Sequence, residues 1–238
     1  MVSTARRFAM VRVLVHGRER SLKKVYKRIF RNFSANVVPL DCGEKCRHLN
    51  DGIPVCCDIE QAIPIMDKSE YKLLRSRSDL WRKYRPENEH GEGIVASLHD
   101  DCVACECKGA KFCERDNRSL SCRAFPFFPY ITREGDFIGM ATYWTFEDRC
   151  WVISNMKKVT RAFIAELHDV YAHLFENKPD EFEVFKDYSA TMRRVFSRQG
   201  RPIYIVDRDK KFHAILPKGA GMERVKKSEL PKFGPYAE

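Results

Sequence analysis

The sequence lacks any long hydrophobic run. No stretch of its 238 residues approaches the roughly 18 consecutive apolar residues of a membrane-spanning helix, so we expect no membrane anchor. Arg6 and Arg7 precede a short apolar segment, but Arg12 interrupts it and no small-residue cleavage site follows, so we also expect no signal peptide. These absences favour a cytoplasmic location, where cysteine thiols are kept reduced.

Several enzyme motifs are also missing. The sequence contains no P-loop and no Gly-x-Gly-x-x-Gly segment after a strand, the two common nucleotide-binding signatures. The cysteine spacing of radical-SAM enzymes is absent, because Leu49 stands where a third cysteine would follow Cys42 and Cys46. No Cys/His combination has ordinary zinc-finger spacing. These absences leave the reaction unidentified, and they do not decide whether the protein is an enzyme.

Cysteine, by contrast, is abundant. The ten cysteines are Cys42, Cys46, Cys56, Cys57, Cys102, Cys105, Cys107, Cys113, Cys122 and Cys150. A chain of this length builds a core without cross-links, and reduced surroundings argue against a disulfide framework. Burial as inert core residues is an alternative for single positions such as Cys102 or Cys107, but not for nine cysteines within residues 42–122. We therefore interpret all ten as candidate metal ligands, since iron and zinc both suit four-thiolate sites.

Positive charge is concentrated at the start of the chain. The formal net charge is +10, and the first 31 residues carry ten Lys and Arg residues against one acid, Glu19. Such a block can bind nucleic acid or an acidic protein partner. It can also be the solvated face of a helix, and the sequence leaves both interpretations open.

Hydrophobic periodicity predicts an α+β fold. Helices are predicted from Ser21, over Ser69 to Tyr84, and over residues 155–176 and 180–198; strands are predicted over 10–15, 136–146, 203–206 and 212–216. Residues 36–68 and 87–130 are predicted to be loop-rich, and the tail from Lys218 to be loose. We expect three regions: a basic segment (1–35), a loop-rich cysteine-cluster metal-binding core with short strands (36–152), and a helical extension with a terminal strand pair (153–238).

The order of several cysteines resembles a known family. Cys42 and Cys46, then the Cys56-Cys57 pair, then Cys113, then Cys122-Arg-Ala-Phe-Pro-Phe are similar to the YkgJ-like cysteine-cluster proteins, described as a zinc- or iron-chelating domain. The resemblance covers roughly residues 40–152. It departs from the family pattern in the nine residues between Cys46 and Cys56, and in the extra Cys102 and Cys107.

The resemblance implies a metal-binding function. Cys105 fits the order of the family's later cysteines, and Cys150 resembles its last one. Arg123 is interpreted either as a charge that offsets a thiolate-bound cluster or as an ordinary surface arginine. The family includes flagellin lysine methylases, which links it to an iron–sulfur cluster. We therefore expect a [4Fe–4S] cluster with a redox or enzyme-supporting role. The alternatives are a structural zinc module that binds nucleic acid or an acidic protein through the basic segment, and a protein lysine methylation enzyme or its accessory.

Overall fold

The structure, a computed structural model, describes residues 21–237. Its helices and antiparallel sheets confirm the predicted α+β class. The chain divides into two compact units, each built from two separate stretches. The first unit combines Met1–Arg31, as far as it is described, with Ile63–Leu120; the second combines Asn32–Ala62 with Ser121–Glu238, described to residue 237. The three consecutive regions expected from the sequence stay a prediction.

The described chain opens in helix α1, residues 21–32, which confirms the helix predicted from Ser21. Its apolar residues Val25 and Ile29 recur one turn apart and are buried, while Lys27 and Arg28 between them are exposed. The helix is therefore amphipathic, with a basic outer face. The predicted strand over residues 10–15 lies outside the described residues.

The first unit contains a three-stranded antiparallel sheet. Its strands are β1 (Ile65–Asp67), β2 (Trp81–Lys83) and β3 (Cys102–Cys107), with β3 in the centre. Two helices accompany them, α2 (Lys68–Arg75) and α3 (Glu89–Ser97). The Asp67 carboxylate caps α2 by accepting a 2.6 Å hydrogen bond from the backbone N–H of Ser69.

Two predictions for this unit are wrong. The helix predicted over Ser69 to Tyr84 ends at Arg75, because Trp81 is pulled into strand β2. The Trp81 side chain is almost fully buried, and its indole N–H donates to the carbonyl of Asn117 at 2.7 Å, a tertiary contact that outweighs local helix propensity. Residues 87–130, predicted to be loop-rich and shared between the two units, contain α3, β3, two 3₁₀ turns, a short helix over Leu120–Ala124 and the start of the strand Phe127–Ile131, and three cysteines interpreted as loop ligands lie on β3.

The second unit contains a five-stranded antiparallel sheet. Its strands run in the order β4 (Phe127–Ile131), β5 (Phe137–Thr142), β6 (Ile203–Val206), β7 (Phe212–Ile215) and β8 (Met222–Val225). Strands β6 and β7 confirm the predicted pair, and β5 confirms most of the predicted strand over 136–146. The loose tail is wrong, because residues after Lys218 add β8 to the edge of the sheet, where it pairs with β7.

Two long helices, α6 (Arg161–Asn177) and α7 (Pro179–Arg198), confirm the two helices predicted there. The hydroxyl of Thr160 caps α6 by accepting from the backbone N–H of Phe163 at 3.1 Å, so the helix begins later than predicted. Phe196 of α7 packs with Phe128 of the sheet in a common hydrophobic core.

Two short helices lie next to cysteines: α4 (Leu120–Ala124) contains Cys122, and α5 (Trp151–Ser154) begins directly after Cys150.

No helix between residues 21 and 237 has both the length and the apolar character needed to cross a membrane. The cytoplasmic location stays a prediction.

Candidate metal centre

The fold divides the ten cysteines into two groups. All ten lie in the described part of the chain, and all are thiols rather than disulfides. The first unit holds four of them, Cys102, Cys105, Cys107 and Cys113, and the second unit holds the other six, which we call the six-thiol group. The six-thiol group comprises Cys42, Cys46, Cys56, Cys57, Cys122 and Cys150.

Short helical turns carry the first four members of the six-thiol group. Cys42 and Cys46 flank the 3₁₀ turn Gly43–Lys45, and the Cys56-Cys57 pair ends the turn Val55–Cys57. The two turns touch: a Cβ atom added at Gly43 would lie only 3.0 Å from Cγ of Pro54. The backbone N–H of Val55 also donates to the Cys46 sulfur. The sequence therefore folds both cysteine pairs into one compact loop.

A tyrosine hydroxyl connects this loop to Cys150. The Tyr236 hydroxyl lies 3.2 Å from the carbonyl oxygen of Lys45 and 3.1 Å from that of Arg149, and its single proton is shared between them. Lys45 directly precedes Cys46, and Arg149 directly precedes Cys150. The backbone at two distant cysteines is therefore held by the same side chain.

Cys122 lies close enough to Cys56 for its charge to raise the pKa of the Cys56 thiol. The pKa of Cys56 is raised well above its ordinary value, first by a hydrogen bond with Cys57, then by burial, and then by the negative charges of Cys57, Cys122 and Cys150. Thiols from three separate stretches of sequence thus lie within one another's electric field. Because their charges repel, these sulfurs hold protons that a bound cation would displace.

The pKa values of Cys150 and Cys46 are raised as well. Burial raises the pKa of Cys150 to about 12, and Cys42 and Cys46 add smaller increases. Burial also raises the pKa of Cys46, opposed by its hydrogen bond from Val55. The backbone N–H groups at the start of α5 donate to the Cys150 sulfur. Burial, hydrogen bonds and repulsion therefore act on all parts of one connected set of thiols.

The six-thiol group is not a preformed ligand shell. Between residues 21 and 237, no group of three or more His, Cys, Asp or Glu side chains is arranged so that it could hold a metal ion. The chemistry of the donors fits iron or zinc, since six thiols exceed the four that either site requires. Metal binding would have to draw the sulfurs inward, and loops permit this more readily than a sheet does.

Arg123 follows Cys122 in α4 but points its guanidinium at the backbone. Its Nη1 donates to the carbonyl oxygen of Phe33, whose buried ring packs 5.5 Å from that of Phe163. Arg123 therefore ties α4 to the segment that leads into the cysteine loop. Its predicted role beside a cofactor stays a prediction.

The four cysteines of the first unit are held differently. Three lie on β3, where side chains alternate, so Cys105 and Cys107 share one face and Cys102 occupies the other. Cys105 is fully buried, and the Cys107 sulfur accepts from the backbone N–H of Gly109 at 3.4 Å. The Cys113 sulfur accepts from Nε of Arg118 at 3.0 Å. The strand thus places Cys102 on the face opposite Cys105 and Cys107.

Tyr236 is the residue that sequence reasoning missed. It lies in a tail predicted to be loose, and no motif marks it. Its pKa is raised to about 12 by burial and by the charges of Cys46 and Cys150, so its hydroxyl lies near the six-thiol group.

Searches of protein-family models, of curated proteins and of solved structures found no match to this chain, so the resemblance to the YkgJ-like family stays a prediction.

Proposed function

We propose that the protein binds an iron–sulfur cluster through thiolates of the six-thiol group. The observation that carries the proposal is the gathering of thiols from three separate stretches of the second unit. Crowded thiols repel one another once ionised, so the arrangement gains from a cation that neutralises them. Soft thiolates are the ligands that iron–sulfur clusters use.

The donor set also fits zinc, which is the alternative metal. Both metals use four cysteines in structural sites, so the number of thiols does not separate them. The family resemblance favours iron, because it links the chain to cluster-containing methylases. Six thiols supply four ligands and leave two that can hydrogen-bond to the centre or occupy its edge.

The chain's own groups would prepare the thiols for this role. An iron–sulfur cluster supplies electron-transfer chemistry when bound. The N–H groups of Val55, Val152 and Ile153 donate to sulfurs and so stabilise their ionised form. Burial of Cys46 and Cys150 excludes water, which influences the potential of a bound centre. The protein thus provides ligands, donors and a partly dry environment.

The test is the metal and acid-labile sulfide content of protein purified without oxygen. We expect iron and sulfide in near-equal amounts and broad absorption at about 400 nm, as iron–sulfur centres show. Tightly bound zinc without sulfide would establish the structural alternative. A colourless sample that binds neither metal, even after anaerobic reconstitution with iron and sulfide, would refute the proposal.

A second candidate function, polyanion binding, is supported by helix α1. Its outward face carries the exposed residues Lys24, Lys27, Arg28 and Arg31, and its other face is buried. A cationic helix face attracts phosphates, and such binding weakens steeply as salt displaces the released counterions. This helix would serve a zinc module and an iron–sulfur protein equally well.

Fluorescence anisotropy with a labelled single-stranded RNA measures this directly. We expect binding at low salt that weakens as salt rises, and a steep loss of affinity when the four exposed α1 residues are changed to Glu. Replacing Lys157 and Lys158, exposed bases of the second unit, by Glu serves as the matched control. No binding at low salt would remove the nucleic-acid function and leave an acidic protein as the partner. Protein lysine methylation stays a prediction of the resemblance.

A further inference from the structure

A short segment of the second unit, residues 233–236, lies against the backbone around Cys150. We call it the clasp. The Ser154 hydroxyl, on buried helix α5, accepts from the backbone N–H of Phe233 at 2.8 Å and lies 3.4 Å from the carbonyl oxygen of Phe233. The clasp is therefore fixed to the helix that begins directly after Cys150.

Gly234 permits the close approach of the clasp. A Cβ atom there would stand 2.9 Å from both the Cα and the carbonyl oxygen of Asp148, and the residue has a φ of 52°. A side chain would therefore meet backbone rather than a flexible neighbour, in a conformation that disfavours side chains. Glycine lets the clasp pass within contact distance of the residues leading to Cys150.

Arg201 anchors the clasp on another side. Its guanidinium lies 5.6 Å from the centre of the Phe233 ring. The same group binds both oxygens of the Glu147 carboxylate, at 2.8 Å and 3.0 Å. Because Glu147 lies three residues before Cys150, the contact joins the clasp to the same loop a second time.

Tyr236 completes the closure. Its hydroxyl bridges the carbonyls that precede Cys46 and Cys150, as described above. Both of these cysteine residues are only 6% exposed, whereas the other four members of the six-thiol group are partly exposed. The backbone contacts of the clasp therefore lie beside the two least exposed cysteine residues of the six-thiol group.

We infer that the clasp closes over Cys46 and Cys150 and controls how fast metal and thiol reagents reach them. For metal exchange the inference rests on the proposed function, whereas the shielding of the thiols is a property of the metal-free chain. Tyr236 acts as a positioning residue: it holds the two cysteine loops and touches no reacting atom. Opening of the clasp is a local fluctuation that becomes more frequent when its hydrogen bonds are removed.

The experiment measures alkylation of each cysteine by N-ethylmaleimide in the reduced, metal-free full chain, quantified by peptide mass spectrometry. In Tyr236→Phe the ring remains and the shared proton is lost, so we expect alkylation of Cys46 and Cys150 to quicken about tenfold. Gly234→Ala, which forces the clasp away from Asp148, should have at least as large an effect. Tyr204→Phe makes the same chemical change on strand β6 and should leave both rates unchanged.

The four cysteines of the first unit serve as internal references. Faster alkylation of all ten thiols in Tyr236→Phe would indicate general unfolding and would overturn the inference. Wild-type rates at Cys46 and Cys150 in both clasp variants would overturn it as well.

A parallel measurement separates the clasp from the proposed function. If the wild-type protein holds iron, a chelator should extract it about tenfold faster from Tyr236→Phe than from Tyr204→Phe. Iron binding together with unchanged alkylation would refute the clasp and keep the proposed function. Faster alkylation in a protein that binds no iron would keep the clasp and refute the proposed function.

Discussion

The two units hold their cysteines on different kinds of backbone. The first unit places three of its four on strand β3, and the second places four of its six in tight turns. On β3, Cys105 and Cys107 share one face and Cys102 lies on the other, so the strand separates its three thiols by face. Turns bend the chain back on itself and let thiols from distant positions meet. The comparison teaches that the backbone beneath the cysteines, as well as their number, decides which thiols from distant positions are grouped.

The largest expected effect comes from single-thiol variants, two in the second unit and one in the first. Cys57→Ala and Cys122→Ala delete members of the six-thiol group, so we expect metal affinity to fall by more than about 100-fold, beyond the usual cost of losing a supporting residue. Cys102→Ala, on β3, should retain wild-type metal content. Iron and sulfide per chain, measured after anaerobic purification, report both results.

The same measurement can break the comparison. Equal loss of iron from Cys102→Ala would show that thiols of the first unit are ligands too, as the sequence predicted for all ten. Full iron content in Cys57→Ala would remove that residue from the ligand set.

A smaller effect concerns stability. Cys105 is fully buried on β3, so Cys105→Ser places a hydroxyl in the core and should lower the free energy of unfolding by about 1 to 3 kcal/mol. Cys113→Ser, at a half-buried position, makes the same change at a smaller cost. Urea denaturation gives both values. Equal free energies of unfolding for the two variants would show that burial of Cys105 contributes no more to stability than the partly exposed Cys113 does.

The smallest effect should be alike in both units. Arg208 hydrogen-bonds to Asp169 in the second unit and lowers the pKa of that carboxyl; Lys108 does the same for Asp79 in the first. A lowered pKa stabilises the fold above the unfolded value near 4, and this contribution is lost as pH falls through the folded pKa.

Both pairs are exposed, so Asp169→Asn should lower the melting temperature at pH 7 by only about 2 °C or less, and Asp79→Asn should shift it in the same direction. Melting curves at pH 7 and pH 3 should show the difference from wild type shrink at the lower pH, because the contribution fades as the carboxyl becomes protonated in the folded state. A large shift in one unit alone would extend the comparison from thiols to surface charge.

Local pattern predicted much of the fold. Helices α6 and α7 follow from apolar residues that recur at helical spacing, and β6 and β7 from apolar runs on either side of a charged turn. Strand β8 and the burial of Trp81 in β2 could not be predicted, because both depend on pairing with residues distant in sequence. Local propensity carries no information about such partners.

For the candidate site, the sequence indicated the loops that carry the predicted donors, and it did not indicate how the thiols are arranged. The spacing of Cys42, Cys46 and the Cys56-Cys57 pair indicated ligands in loops, and these loops are present. The sequence did not indicate that Cys105 and Cys107 lie on a strand, since cysteine counts equally for either backbone. No sequence motif marked Tyr236, because its hydroxyl contacts the carbonyl oxygens of Lys45 and Arg149, which are distant in sequence.

The hydrogen bond between Tyr236 and Lys45 joins residues 191 positions apart. This separation sets the minimum time between the synthesis of Lys45 and the formation of the bond. At about 5 to 20 residues per second, a ribosome needs roughly 10 to 40 seconds to reach Tyr236 after adding Lys45. During that interval the early thiols are made but unclosed. If the clasp shields Cys46 and Cys150 as inferred, both thiols stay accessible to reagents in the growing chain until Tyr236 has been added and folded into place.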